Sequence, residues 1–257
     1  MVLASRDFEV APETTLDIDY RIAATRQERE AAFHLVYKSY LRARLGGMNR
    51  YEMRVTPYHL LPTTEVFIAQ YQDDVIFTIS LVGDGELGLP MELVYGEEAA
   101  LRRRLGLRMA EVSCLADRRT QFRGFFPVFI RLCRVMVQTA RMRGYDELVV
   151  AVHPKHARFY RRFMAFEVFG QQQAYPTVRN HPAVAMSLNF ARIDRELPSS
   201  YDTFFGESLP EEMLRPCPIG AADCDYFRAM IDPSFELAPL GEEEFPARNF
   251  AEAAGVA

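Results

Sequence analysis

The stretch VVAVHPKHARFYRRFMAFEVFG, residues 149–170, decides how the rest of the chain is read. Val149, Val150, Ala151 and Val152 form the unbroken apolar run of a strand buried on both faces. Phe159, Tyr160 and Phe163 then recur at helical spacing, so a helix is predicted over Lys155–Phe166, followed by a return to strand at Glu167. A tyrosine is thereby held beside the end of a buried strand.

Upstream, LDIDYRIAA alternates apolar and polar residues and reads as a strand. RQEREAAFHLVYKSYLRARLG places Phe33, Val36, Tyr37, Tyr40 and Leu41 on one helical face, with Gly46-Gly47 as the expected stop. EVFIAQYQDDVIFTISLVGD is a hairpin joined at Asp73-Asp74. PMELVYGEEAALRRRLG reads as a short helix and RMAEVSCLAD as the next strand. The longest helix is predicted over residues 124–144, with Pro127 tolerated in its first turn and Gly144 as its stop. EVFGQQQAY and AVAMSLNF are the closing strands. The expected organisation is a mobile arm over residues 1–15, a body over 16–193 and an acidic extension over 194–257, whose aromatics (Tyr201, Phe204, Phe205, Tyr226, Phe227, Phe235) predict packing onto the body.

An apolar fraction of 49% supports a sizeable core. No apolar run approaches the ~18 residues of a membrane span, and the first ten residues lack a basic start and an apolar h-region. The four cysteines lie far apart without a CxxC, which disfavours a zinc site and a disulfide framework and fits a reduced cytoplasm. No metal and no nucleic-acid partner are expected. The net charge of −5 conceals a division: residues 1–193 carry 26 basic against 21 acidic side chains, residues 194–257 only 4 against 14. Arg102, Arg103, Arg104, Arg108, Arg118, Arg119 and Arg123 concentrate positive charge, read either as a solvated surface or as a docking patch for an acidic partner.

The order strand, helix, hairpin, strand, long helix, buried strand, helix, strand, strand resembles the GNAT acyltransferase fold. That is an α/β (α+β) architecture: a mixed, mostly antiparallel central sheet with splayed fourth and fifth strands flanked by helices, here with a C-terminal helical extension. AEVSCLAD, HPKHARFYRRFMAFEVFG and AYPTVRNHPAVAMSL together resemble the N-acyl amino acid synthases, relatives of the acyl-homoserine-lactone autoinducer synthases; YEMRVTPYHLLPTT and GLPMELVYG look like the same family's middle region. The likeness covers roughly Tyr20 to Phe190. It implies an N-acyltransferase with no permanently bound cofactor, using an acyl-phosphopantetheine thioester as co-substrate and an amino acid or similar small amine as acceptor. Ordinary acetyltransferases carry a glycine-rich turn before the long helix that holds the diphosphate of coenzyme A. Here that turn reads RRTQFRGFFP, with Gly124 alone remaining and Phe125 and Phe126 where small residues would stand. A fatty acyl chain on acyl carrier protein removes the need for that loop, and Arg118, Arg119 and Arg123 are candidates for docking this acidic partner. Contact with a membrane would be transient, through the acyl product.

The resemblance also implies roles. Backbone amides at Val112, Ser113, Cys114 and Leu115 would hold pantetheine and polarise the thioester carbonyl. Glu111 resembles the autoinducer synthases' strand glutamate, and as a desolvated carboxylate would serve as base for the ammonium group; otherwise it is a solvent-facing or arginine-paired glutamate. Tyr160 would protonate the departing thiolate, or simply pack in the core. His156 matches the family's basic-histidine pair at the start of the helix and would orient substrate or cap the helix, whereas His153 reads as structural. Phe125, Phe126, Phe129, Leu132 and Met136 form an apolar stripe that would line an acyl trough or belong to the core. Arg54, beside Tyr58 and His59, offers a guanidinium fork to the acceptor's carboxylate. Cys114 raises a covalent route, for which a base would have to come from a distant histidine. The alternatives are acyl-coenzyme A as donor, an autoinducer-type synthase using S-adenosylmethionine, and a non-catalytic module binding acyl carrier protein or lipid.

Overall fold

The computed structural model describes residues 17–118, 125–232 and 234–235. The expected N-terminal arm, Arg119, Arg123 and Gly124 lie outside the described residues, as does the side chain of Phe125.

Strand β1 (Ile18–Ile22) leads into helix α1 (Arg26–Arg42). Thr25 caps α1: its hydroxyl accepts from Glu28 N at 3.2 Å while the Glu28 carboxylate accepts from Thr25 N at 3.0 Å. The buried face carries Phe33, Leu35, Val36 and Tyr37, whereas Leu41 points outward. The helix stops before Gly46-Gly47, because Arg44 takes the left-handed conformation (φ 59°) and Leu45 N donates to Tyr40 O. Strands β2 (Thr64–Tyr71) and β3 (Asp74–Gly83) form the hairpin, with Tyr71 opposite Asp74 and a turn one residue earlier than expected, over Gln72-Asp73. Helix α2 (Glu92–Arg104), strand β4 (Met109–Asp117), helix α3 (Phe125–Met142), strand β5 (Glu147–Val152) and helix α4 (Pro154–Phe163) follow in the anticipated order. Gly144 ends α3's connection with φ +73°, a conformation that suits glycine.

EVFGQQQAY is two short strands, β6 (Glu167–Val168) and β7 (Gln173–Tyr175), each paired with β8 (His181–Asn189). Gly170 separates them because a Cβ there would lie 2.8 Å from the Tyr95 ring and 2.9 Å from the Ala185 Cβ. The sheet order is β1-β2-β3-β4-β5-β8-β6, antiparallel throughout except for β4 with β5. Helix α3 packs on one face over the main core, and α1 and α2 cover the other.

Helices α5 (Phe190–Glu196), α6 (Tyr201–Phe205), α7 (Glu211–Leu214) and α8 (Ala221–Arg228) complete the described chain. The first of these runs straight across residue 193. Phe204 and Phe227 are buried against the body, while Tyr226 stays largely exposed. The fully buried Glu65 carboxylate on β2 accepts from Cys217 N at 3.1 Å and pairs with Arg143 at the end of α3. Arg29 on α1 donates to Cys217 O at 3.0 Å, so the extension is tied to three elements at one point. Among the described residues no helix is long and apolar enough to cross a membrane.

Candidate active site

Parallel pairing between β4 and β5 lasts for three residues, Met109–Glu147, Ala110–Leu148 and Glu111–Val149, and then ends. Beyond it β4 continues to Asp117 and β5 to Val152 without bonding each other, so the sheet opens immediately after Glu111. A bulge in β4 sharpens this break. Thr78 pairs with Ala116 but Ser80 with Ser113, so Cys114 and Leu115 together oppose Ile79, and Cys114 takes φ +50°. Val112 and Ser113 keep their register with β3 while Cys114 and Leu115 leave it, and all four residues lie where β4 no longer pairs with β5.

Because side chains alternate along a strand, the two sides of this gap differ. On the α1/α2 side Glu111 is 3% exposed, and its Oε2 accepts from Met91 N at 2.7 Å. Met91 is the N-cap of α2, so the carboxyl is oriented by one of the amides a helix start leaves unpaired. Burial, the proximity of Glu92 adding to it, pushes the Glu111 carboxyl up to about 8. Its alternative as a solvent-facing or arginine-paired glutamate is thereby corrected: no ion pair to Glu111 occurs among the described residues. Tyr40, Tyr58 and Tyr175 surround it, and burial followed by neighbouring acidic groups raises all three phenols. Tyr175 donates to Pro90 O at 2.8 Å, which fixes the LPM turn that presents the Met91 amide.

Arg54 lies on this side, 5% exposed, with its guanidinium 4.6 Å from the Tyr40 ring centre and 5.4 Å from that of Phe235. Its Nη1 donates to Asp232 at 2.8 Å and its Nη2 to Thr177 O at 2.9 Å, while Nε is buried without a partner. His59 is structural: its Nδ1 accepts from Thr56 N at 3.0 Å, its Nε2 lies 3.1 Å from Ser80 Oγ, and it stacks on Phe33. Burial and the Arg54 charge lower it to about 3, which keeps it neutral. Burial raises the Cys114 thiol, so at neutral pH the thiolate needed for a covalent route is disfavoured.

The α3/α4 side is apolar. Tyr160 shares a narrow cavity with Val112 and Leu115 of β4 and Leu148 and Val150 of β5. Phe129, Cys133 and Met136 of α3 close it from above. Its free volume is about 10 Å³, room for one water. Burial pushes the Tyr160 phenol well above its ordinary range, with Cys133 contributing. Phe126 stacks among Phe129, Phe159 and Phe163 at ring distances of 4.8–6.4 Å, at the side of the cavity, and Leu132 is fully buried core. The helix-capping role falls to His153, whose Nδ1 accepts from Lys155 N at 3.2 Å; His156 lies exposed beside it.

The arginine concentration is divided: Arg104, Arg108 and Arg118 are exposed, whereas Arg102 and Arg103 are drawn inward. Arg102 pairs with Glu147 at 3.0 Å and lies over the Phe169 ring; Arg103 is held between Asp84 and Glu92. Arg118 is half exposed and pairs with Asp74. Neither a solvated surface nor a free docking patch describes Arg102 and Arg103. Sequence reasoning also passed over Tyr175, Met91, Val137, Met164 and Asp232, which long-range folding alone brings to the gap.

The family model of the N-acyl amino acid synthase FeeM matches residues 31–189. The solved structure of FeeM, an N-acyl amino acid synthase from uncultured soil microbes, is 29% identical over 69% of this chain and 92% of that one, with a TM-score of 0.61. The acyl-homoserine-lactone synthase LasI shares the fold at 14% identity, covering 75% of this chain and 96% of that one, with a TM-score of 0.53. MesI, a CoA-dependent acyl-homoserine lactone synthase, does so at 13% identity, 75% and 97% coverage and a TM-score of 0.52. No curated protein matches the chain. With a sheet that opens at Glu111 and a family match over most of its length, the chain belongs to the FeeM family of N-acyl amino acid synthases and is an N-acyltransferase of GNAT-like fold.

Proposed function

We propose that this N-acyltransferase moves a long-chain fatty acyl group from a phosphopantetheine thioester, preferably on acyl carrier protein, to the amine of an amino acid or similar small amine. The observation that carries this reading is the gap between β4 and β5, with a buried carboxyl on one side and a tyrosine in an apolar cavity on the other.

Glu111 accepts a proton from the ammonium group, directly or through a water, and frees the nitrogen lone pair for attack on the thioester carbonyl. The C–N bond forms and the carbonyl electrons move onto oxygen, where backbone amides of β4 at Val112–Leu115 stabilise the oxyanion. Collapse breaks the C–S bond, Tyr160 gives its proton to the departing sulfur, and the second amine proton is lost to solvent as the amide forms. A raised tyrosine pKa suits the role, because the phenol is protonated throughout the working range. Arg54 binds the acceptor's carboxylate, which takes the place of Asp232 on the guanidinium fork. Phe126 and Phe129 border the acyl group, and Arg118, with Arg119 and Arg123 outside the described residues, meets the carrier protein. His156, exposed at the start of α4, orients substrate. This chemistry belongs to the body, residues 16–193, and to the cytoplasm, where acyl carrier protein is charged.

The bulky FFP sequence in place of a glycine-rich turn supports the carrier-bound donor, whereas the CoA dependence stated for MesI makes acyl-CoA the second donor to test. Purified protein is incubated with palmitoyl carrier protein or palmitoyl-CoA, each against twenty amino acids, and products are identified by mass spectrometry. An N-acyl amino acid formed at least tenfold faster from the carrier is expected. Equal or faster transfer from CoA overturns the donor assignment, and tight carrier binding with no product from either donor overturns the catalytic reading.

A further inference from the structure

Helix α2 brings its two ends to one point. Glu92 opens it and Arg103 lies in its last turn, 11 residues on, which is about 16 Å along a straight helix. The helix is not straight: Tyr95, fully buried, departs from helical geometry (φ −119°, ψ 37°) and donates its hydroxyl to Ala183 O at 2.7 Å. Arg103 therefore reaches the Glu92 carboxylate, donating from Nη1 at 2.7 Å and also from Nη2. Its Nε and Nη2 donate to Asp84 at 2.7 and 2.8 Å. All three side chains are only 12 to 14% exposed, so solvent does little to loosen the group.

We propose that Arg103 and Glu92 are positioning residues for the base: their ion pair, anchored on Asp84, fixes the turn over residues 89–91 so that the Met91 amide is aimed at Glu111. The inference rests on the reading of Glu111 as base given above and assigns the part of the molecule that governs its orientation and charge.

Three observations carry it. The turn is closed by the pair itself: Glu92 Oε1 accepts from Leu89 N at 2.6 Å and Glu92 N donates to Leu89 O at 3.0 Å, so the carboxylate held by Arg103 spans the turn whose Met91 N donates to Glu111 Oε2 at 2.7 Å. The anchor belongs to the strand that carries the base. Asp84 follows β3 directly, and its N donates at 3.0 Å to the carbonyl of Met109, the first residue of β4 and two before Glu111. Charge acts in the same direction as geometry. Burial raises the Glu111 carboxyl, the Met91 amide restrains that rise and Glu92 adds to it; Arg103 opposes the Glu92 charge and holds the restraining amide in place. The other titratable groups facing Glu111 are Tyr40 of α1, Tyr58, Cys114 of β4 and Tyr175 of β7, with the Arg54 charge beside Tyr40 and Cys114. Arg103 acts through Glu92 and the turn, so its effect falls on the pH at which the base ionises.

Arg103→Met removes the charge and the donors, Arg103→Lys keeps the charge and loses the fork, and Glu92→Gln removes the negative charge while keeping an oxygen for Leu89 N. The pH dependence of kcat/KM is measured for wild type and the three variants with one donor and one acceptor, so that ionisation of the acceptor is common to all, and thermal melting checks folding. From a wild-type break at about pH 8, the break should move up by about one pH unit in Arg103→Met, with an about tenfold loss at pH 7, up by less in Arg103→Lys, and down by about half a unit in Glu92→Gln. A residue that only stabilised the fold would lower the melting temperature and leave the break in place. An unmoved break in folded Arg103→Met and Glu92→Gln overturns the inference; if Arg103→Met does not fold, an unmoved break in Glu92→Gln alone does so. Should wild type show no break or no turnover, the reading of Glu111 as base fails, and its proton is followed instead through urea unfolding. The midpoint of wild type relative to Glu111→Gln is then compared across pH with that of Glu92→Gln relative to the double variant, and the same pH window in both pairs overturns the inference.

Discussion

The two sides of the sheet at the β4–β5 gap are built on opposite principles. On the α1/α2 side, polar groups are fixed by directed bonds: Glu111 by the Met91 amide, Tyr175 by Pro90, His59 by Thr56 and Ser80, Arg54 by Asp232 and Thr177. On the α3/α4 side, Tyr160 stands among aliphatic, aromatic and sulfur-containing side chains that offer it no directed bond. An acceptor amine has one reactive geometry, so hydrogen bonds suit it; an acyl chain has many conformers, so adaptable packing does. Substitutions on the first side should therefore change chemistry and ionisation, and those on the second should change leaving-group departure and chain selection.

The sharpest break is at Glu111. Its folded pKa of about 8 lies above the ordinary 4.5, so the base is one-tenth ionised near pH 7. Because the deprotonated form works, kcat/KM should rise about tenfold per pH unit up to about pH 8 and level above it. Glu111→Gln should lower kcat about 10³-fold and erase the break. The same shift has a stability consequence of opposite sign: the folded state holds the proton more tightly than the unfolded chain, so this carboxyl's contribution to stability is full below about pH 4.5 and is lost as pH rises to about 8. The urea unfolding midpoint of wild type relative to Glu111→Gln should therefore fall across that range. A rate profile with no break near pH 8 removes Glu111 as the base.

Tyr160→Phe tests the opposite side and should cost less, about 10²-fold in kcat with little change in KM, because it deletes one proton transfer and keeps the ring contacts with Phe159 and Phe166. An acyl donor with a more acidic thiol needs less help in leaving, so it should recover most of the loss. Equal losses with both donors would mark Tyr160 as a packing residue.

Element order was largely legible because the apolar periods at 149–152, 125–142 and 66–69 survive in the folded chain. Leu41 misled because residues beyond the core-facing turns of α1 continue the pattern without a partner to bury them. EVFGQQQAY read as one strand because Gly170 breaks it for a tertiary reason, the Tyr95 ring, which local sequence does not contain. At the site, Glu111 and Tyr160 were found through resemblance, yet their placement on opposite sides of the sheet depends on where β4 and β5 stop pairing, and the Cys114 bulge that helps set this is visible only in the register with β3. Arg102 and Arg103 looked like surface charge because their carboxylate partners lie 11 to 45 residues away.

Asp232→Ala is the smallest change and tests whether the polar side is as fixed as its bonds imply. Asp232 arrives from beyond the family match: Ile231 bridges Val55, Asp232 N donates to Val55 O at 2.9 Å, and the carboxylate meets the buried Arg54 fork at 2.8 Å. If an acceptor carboxylate takes over that fork, Asp232 competes with it, and removing Asp232 should lower KM for the amino acid about threefold to tenfold with kcat nearly unchanged. If Asp232 instead holds Arg54 in position, KM should rise. Arg54→Lys separates the cases further, since a lysine keeps the charge and loses the two-pronged geometry. A fall in KM in Asp232→Ala that disappears in the Arg54→Lys background would identify the fork itself as the acceptor's anchor, and would make this directed ion pair the one exchangeable bond on the side otherwise built from permanent ones.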